Sequence, residues 1–223
     1  MANSSDRQPR VTVLNSIKSA LANKSVIRAP LSAGVATVGA PGTPIPVPQN
    51  RSQDTLDLFE DMLADYRARV IRSEAGELPL VIAGLVSQHK IKSVVVPPGL
   101  DATWYQNIGE VKVVFDDGSI PFDELASIDA VITGCTCAIA ETGTLVLSGQ
   151  PYEGRRAVTL LPDFHICVVR SEVVMRRVKN LFSHVTITDP ITLISGPSAT
   201  SDIELKRVEG VHGPRNLFVV IVS

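Results

Sequence analysis

Ser93-Val-Val-Val-Pro-Pro-Gly99 is a run of β-branched residues closed by a hard stop. Three consecutive valines with no polar alternation suit a strand buried on both faces. Pro97 and Pro98 then end it, because proline fixes φ and has no N–H to give a ladder. The pattern repeats outward. Leu80 to His89 before it and Ala102 to Ile108 after it carry helical spacing. Val111 to Phe115 is a strand closed by Asp116-Asp117-Gly118, Phe122 to Ile128 a helix, and Ala130 to Thr133 a strand. Thr144 to Leu147, His165 to Val169 and Leu217 to Val222 continue the strands. Val174, Val178 and Leu181 give residues 173–181 a helical stripe. The alternation predicts an α/β fold with a mostly parallel sheet flanked by helices.

Upstream, Leu56, Phe59, Leu63, Tyr66 and Val70 recur in steps of three and four, predicting an amphipathic helix of at least four turns, with Ser52 or Asp54 as its cap. Residues 68–73 could instead turn into a strand. Leu14, Ile17 and Leu21 predict a helix over 11–24. Residues 25–52 contain Pro30, Pro41, Pro44, Pro46 and Pro48, which exclude a regular helix and leave an extended arm or a disordered linker. The chain thus divides into an N-terminal helix and Pro-rich arm, 1–52, and an α/β domain, 53–223. The first helix could pack on a partner subunit, so a homo-oligomer is open.

The chain has 223 residues, 44% hydrophobic and 20% charged, with a formal net charge of −2. That balance gives no electrostatic case for nucleic acid or an anionic membrane. No apolar run is long enough to span a bilayer. The N-terminus lacks an apolar signal core, which points to a cytoplasmic protein. Three cysteines do not describe a disulfide framework.

Two segments concentrate chemistry. Gly134-Cys-Thr-Cys-Ala-Ile-Ala-Glu-Thr-Gly-Thr144 follows a strand, and ligands in open α/β sheets collect at the carboxyl ends of strands. Glu141 follows apolar residues 138–140, an arrangement expected to desolvate its carboxylate. Gly134, Thr142, Gly143 and Thr144 could offer hydroxyl and backbone donors to an anion. The second segment, 196–215, is bracketed by Gly196-Pro197 and Gly213-Pro214. It holds Ser198, Thr200, Asp202, His212 and Arg215. His212 could serve as acid or base, Asp202 could orient it, and Arg215 could clamp a carboxylate with paired donors. A solvated turn is the plain alternative for both. His165 opens a buried strand and suits a structural role. Arg155 and Arg156 are either a solvated helix start or an anion contact. Cys135 and Cys137 share a face if the strand reaches them. With Cys167 they cannot supply the four thiolates an iron–sulfur cluster takes. No intrinsic metal or cluster is expected, and small buried thiols are the reading.

The 196–215 segment, together with Ile132-Thr-Gly-Cys-Thr-Cys-Ala-Ile-Ala-Glu-Thr-Gly-Thr-Leu-Val-Leu147 and Arg155-Arg-Ala-Val-Thr-Leu-Leu-Pro-Asp-Phe-His-Ile-Cys-Val-Val169, resembles the lactate utilisation protein C family of LUD-domain proteins. The blocks stand in the family's order and cover most of the chain from about Ser93. The family is similar in turn to sugar-phosphate isomerases and CoA transferases, whose nucleophilic Glu would correspond to Glu141. The resemblance implies a subunit that takes part in oxidation of L-lactate to pyruvate, binding a small carboxylate or organising a complex with iron–sulfur partner proteins. The clusters would sit on those partners. A stand-alone CoA-transferase-like enzyme and a non-catalytic assembly protein are the alternatives.

Overall fold

The computed structural model describes residues 53–183, 185, 190–200, 208–209 and 213–223. The expected helix over 11–24, the arm over 25–52, Ser52, Asp202 and His212 lie outside the described residues.

Helix α1 (Gln53–Asp65) leads into β1 (Arg69–Ser73). It buries Thr55, Phe59 and Leu63 and ends before the four turns its spacing implied, because Arg67 takes a left-handed conformation and Val70 joins the strand. Next come α2 (Leu78–Gln88), β2 (Ser93–Val96), β3 (Lys112–Phe115), α3 (Phe122–Ala126) and β4 (Ala130–Thr133). Residues 102–108 form only a 3-10 turn, Ala102–Trp104, capped by Asp101. With β7 (Phe164–Arg170) and β12 (Asn216–Val222) these strands build a six-stranded sheet in the order β1-β12-β7-β4-β2-β3, parallel throughout. The mostly parallel α/β reading holds. Because β2 lies between β3 and β4, the chain reverses its travel across the sheet there, which makes the β2–β4 junction a switch point.

Alternate residues of the strands face two different covers. Val94, Val96, Ala130, Ile132, Ile166, Val168, Phe218 and Val220 pack with Leu78, Ile82, Leu85 and Val86 of α2. On the other face, Val95 and Val131 meet Leu125 of α3 and Val158. Further along it, Cys167, Val169, Leu217, Val219 and Ile221 meet Phe59 and Leu63 of α1 and a second sheet.

The second sheet differs from expectation. Its strands are β5 (Cys137–Ile139), β6 (Thr144–Leu147), β8 (Val174–Met175) and β9 (Thr192–Ile194), in the order β8-β5-β6-β9. Thr144–Leu147 is therefore no member of the parallel sheet; it pairs antiparallel with β5 and β9. Residues 173–181 are not a helix. A 3-10 turn runs from Ser171 to Val173, β8 pairs with β5, and a 3-10 stretch covers Val178–Ser183. Met175 and Leu181 still share a buried cluster, with Cys137, Ile139 and Val146, so the apolar spacing was real and its backbone was not helical. A short ladder joins β10 (Ala199–Thr200) to β11 (Val208–Glu209).

At one end of the parallel sheet, His89 closes α2 and stands against Phe164 and Phe218. Its Nε2 lies 3.2 Å from Arg69, whose guanidinium covers the Phe218 ring. Burial first, then the Arg69 charge, hold His89 below its usual 6.5. The unfolded chain then binds a proton that the folded chain refuses. The stability tied to His89 is complete above that value and falls as pH drops through the folded value. Urea midpoints of His89→Gln are expected to fall less than wild type between neutral pH and about pH 5, in the window set by the ordinary histidine value.

Candidate functional site

The Glu141 turn is the tip of a hairpin that folds back over the sheet. Ala140–Thr142 is a 3-10 turn, and Gly143 closes it with φ 54°. The turn packs on the end of α1: a Cβ on Gly143 would stand 2.9 Å from the Met62 carbonyl carbon and 3.0 Å from the Leu63 nitrogen. α1 runs on into the amino end of β1, so the turn does not lie at the carboxyl ends of the strands. Gly143→Ala combines a left-handed backbone with a contact to rigid main chain. It is expected to lower stability by about 2 kcal/mol in urea titration.

Glu141 is exposed, and its carboxylate accepts from Arg177 at 3.1 Å with both side chains open to solvent. The expected desolvation does not occur. The apolar residues before Glu141 point into the two sides of the second sheet, while the Glu141 side chain alone turns out to solvent. Thr142 and Thr144 share a hydroxyl contact of 2.7 Å, and the Thr144 hydroxyl meets Ser195 Oγ at 2.7 Å. Gly196 follows, at φ 99°, with Tyr66 where its Cβ would be. This joins the Glu141 turn to the start of the second expected segment.

The segment's exit is also ordered. Ser198 N–H donates to the Pro214 carbonyl at 2.7 Å, and Gly213 lies over Ser198. Arg215 donates through Nε and Nη2 to the Asp163 carboxylate, the latter at 2.8 Å. The carboxylate clamp expected of Arg215 is thus filled by the protein's own Asp163, which precedes β7 as Arg215 precedes β12. Thr200 contributes its backbone to the β10–β11 ladder.

Gly134 stands apart from these residues, at the carboxyl end of β4. Its N–H donates to the Tyr152 carbonyl, and the Tyr152 ring occupies the place of its Cβ. Gly99, after β2, likewise donates to the Pro151 carbonyl. The Pro151–Gly154 segment therefore lies across the switch point, held from below by Glu153. That carboxylate is fully buried and accepts from Thr136 Oγ1 at 2.6 Å and from the N–H groups of Ser148 and Gln150 at 2.8 Å. Burial raises its pKa against these bonds. The sequence reading passed over Glu153, although a Pro-Tyr-Glu-Gly turn one strand after the Gly134 corner was a signal. Arg155 was legible only as a choice: it forks onto Asp116 at 2.8 and 3.0 Å.

Among the described residues no three His, Cys, Asp or Glu side chains converge to hold a metal ion. No described helix is long and apolar enough to cross a membrane. What the site offers is an exposed carboxylate–guanidinium pair beside a string of hydroxyls, set on a turn that α1 fixes in place.

The LUD domain model matches residues 12–222. The chain belongs to the LUD domain family. Lactate utilization protein C of Deinococcus radiodurans is 43% identical over 195 residues, 86% of this chain and 90% of that protein. Lactate utilization protein C of Oceanobacillus iheyensis is 25% identical over 191 residues, 77% of this chain and 82% of its own length. A crystal structure of a DUF162 family protein from Deinococcus radiodurans matches with a TM-score of 0.66 and 38% identity, covering 79% of this chain and 100% of that one. In this LUD domain the Glu141 turn and residues 195–198 meet through Thr144 and Ser195.

Proposed function

We propose that this chain is a cytoplasmic subunit of a lactate-utilisation system, taking part with iron–sulfur partner proteins in the oxidation of L-lactate to pyruvate. The observation that carries the reading is the 43% identity to a lactate utilization protein C along 90% of that protein. Oxidising the hydroxyl of lactate to a ketone releases two electrons and two protons, and the electrons need an acceptor. Three buried cysteines cannot supply the four thiolates of a cluster, which supports an acceptor on another chain. In this reading the Glu141–Arg177 pair and the Thr142 and Ser195 hydroxyls, joined beneath by the buried Thr144, form the surface that meets the substrate or the partner. Arg177 offers the donors a carboxylate needs, and the hydroxyls suit a small polar ligand.

Deleting the gene for this chain is expected to abolish growth on L-lactate as sole carbon source, with growth restored by the wild-type gene. Undiminished growth of the deletion strain would contradict the reading. A second reading is favoured by the exposure of Glu141: a carboxylate open to solvent can reach a thioester, as a CoA-transferase-like nucleophile must. Incubation with an acyl-CoA and borohydride would then give a chain reduced at Glu141.

A further inference from the structure

Cys135 and Cys137 do not share a face. The chain turns back at Gly134, so Cys137 enters the outer side of the second sheet, while Cys135 packs against the parallel sheet with Cys167. Thr133 and Cys167 are direct partners across β4 and β7, which places Cys135 just beyond Cys167's neighbour. Cys167 Sγ lies 3.7 Å from the carbonyl of Gly134, the residue before Cys135, and both thiols belong to one buried cluster. His165, two residues before Cys167 on the same strand face, stands beside the Cys167 sulfur. Its Nε2 meets Thr133 Oγ1 at 2.8 Å. Its Nδ1 is buried without a hydrogen-bond partner, in a side chain only 1% exposed. Buried polar atoms are normally satisfied, so an imidazole nitrogen left open two residues from a buried thiol on the same strand face calls for an explanation.

We propose that Cys135 and Cys167 are a redox pair, which hydrogen peroxide links as a disulfide between the end of β4 and the middle of β7. Cys135 is 7% exposed and Cys167 is fully buried, so an oxidant entering from solvent meets Cys135 first. Its sulfur attacks one peroxide oxygen and the O–O bond breaks. The thiol proton leaves with the departing hydroxide as water, and Cys135 becomes a sulfenic acid. The Cys167 sulfur then displaces hydroxide from the Cys135 sulfur, and its own proton completes a second water. Two thiols are oxidised by two electrons in all, and one peroxide is reduced to two waters. His165 assists by taking up and returning the proton at its open nitrogen. The contact between the two sulfurs favours the second step, in which Cys167 attacks as the thiolate, and leaves the Cys135 proton for His165 to remove in the first. It holds the Cys167 thiol below its ordinary value, aided by His165 and Thr133, and it pushes Cys135 up. Cys137 is the internal control, because burial, and then Glu153, push its thiol up to about 12. The inference is independent of the lactate reading.

The test treats the reduced full-length chain with hydrogen peroxide, then alkylates it in denaturant and maps its peptides by mass. Cys137→Ser leaves one cysteine in the peptide that carries Cys135, so the linkage is unambiguous. The expected result is one peptide pair joining Cys135 to Cys167, reversed by dithiothreitol, in both wild type and Cys137→Ser. Cys137 of the wild type should stay alkylated. The proposal is overturned if both thiols remain alkylated, if Cys137 or a second chain supplies the partner sulfur, or if Cys135 is oxidised to sulfinic acid without any link. The wild-type readout does not depend on a variant folding.

Discussion

Glu153→Ala lowers the free energy of unfolding by about 3–5 kcal/mol, while Glu153→Gln stays within about 1 kcal/mol of wild type. The alanine leaves the Ser148 and Gln150 N–H groups without an acceptor inside the fold. Each such donor costs about 1–3 kcal/mol, and the lost side chain, fully buried in wild type, leaves a void. Thr136 suffers less, because its hydroxyl keeps Ser148 Oγ at 2.7 Å. The glutamine amide oxygen can take both N–H bonds, and its NH2 can donate to Thr136 Oγ1. The two variants therefore separate the hydrogen bonds from the charge. The charge has its own signature. Burial raises the Glu153 carboxyl above its ordinary 4.5. A raised folded value means stability that is complete below the unfolded value and lost as pH rises through the folded one. Wild type should lose stability relative to Glu153→Gln on raising the pH from that ordinary value, as read from urea midpoints.

Arg155→Ala is expected to cost about 3 kcal/mol, because it strands a buried charge. The Asp116 side chain is 1% exposed and Arg155 29%. The guanidinium forks onto Asp116, donates to the Ile120 carbonyl at 2.5 Å and lies over Phe122. Removing it leaves the buried Asp116 carboxylate with the Gly118 N–H at 3.3 Å. Asp116→Asn in the Arg155→Ala background removes the charge and should recover part of the loss. Their coupling, about 1–3 kcal/mol, is read from a double-mutant cycle in urea. Simple additivity of the two substitutions would show that the fork contributes nothing beyond its separate ends.

How much was legible follows from how local each signal is. β2, β4, β7 and β12 are buried on both faces and bounded by breakers, so their apolar runs showed directly. Residues 173–181 misled because Val174, Val178 and Leu181 match a helical stripe. Two 3-10 turns and a two-residue strand deliver Met175 and Leu181 to the same cluster. β5 is three residues long and carries no alternation that could set it apart. At the site, the Gly196 corner showed in the sequence, and the structure gives its reason in Tyr66; Gly143 was read only as a donor, and its close approach to Met62 did not show. The exposure of Glu141 was not readable, since it depends on the hairpin folding back. Nor were the partners of Thr144 and Arg215, because Ser195 and Asp163 lie about fifty residues away in sequence.

The most direct measurement is L-lactate-dependent dye reduction by the purified chain, alone and mixed with the iron–sulfur proteins proposed as its partners. The account predicts reduction only in the complete mixture, abolished when this chain is left out and weakened by Glu141→Gln. The same rate with and without this chain would contradict its place in lactate oxidation.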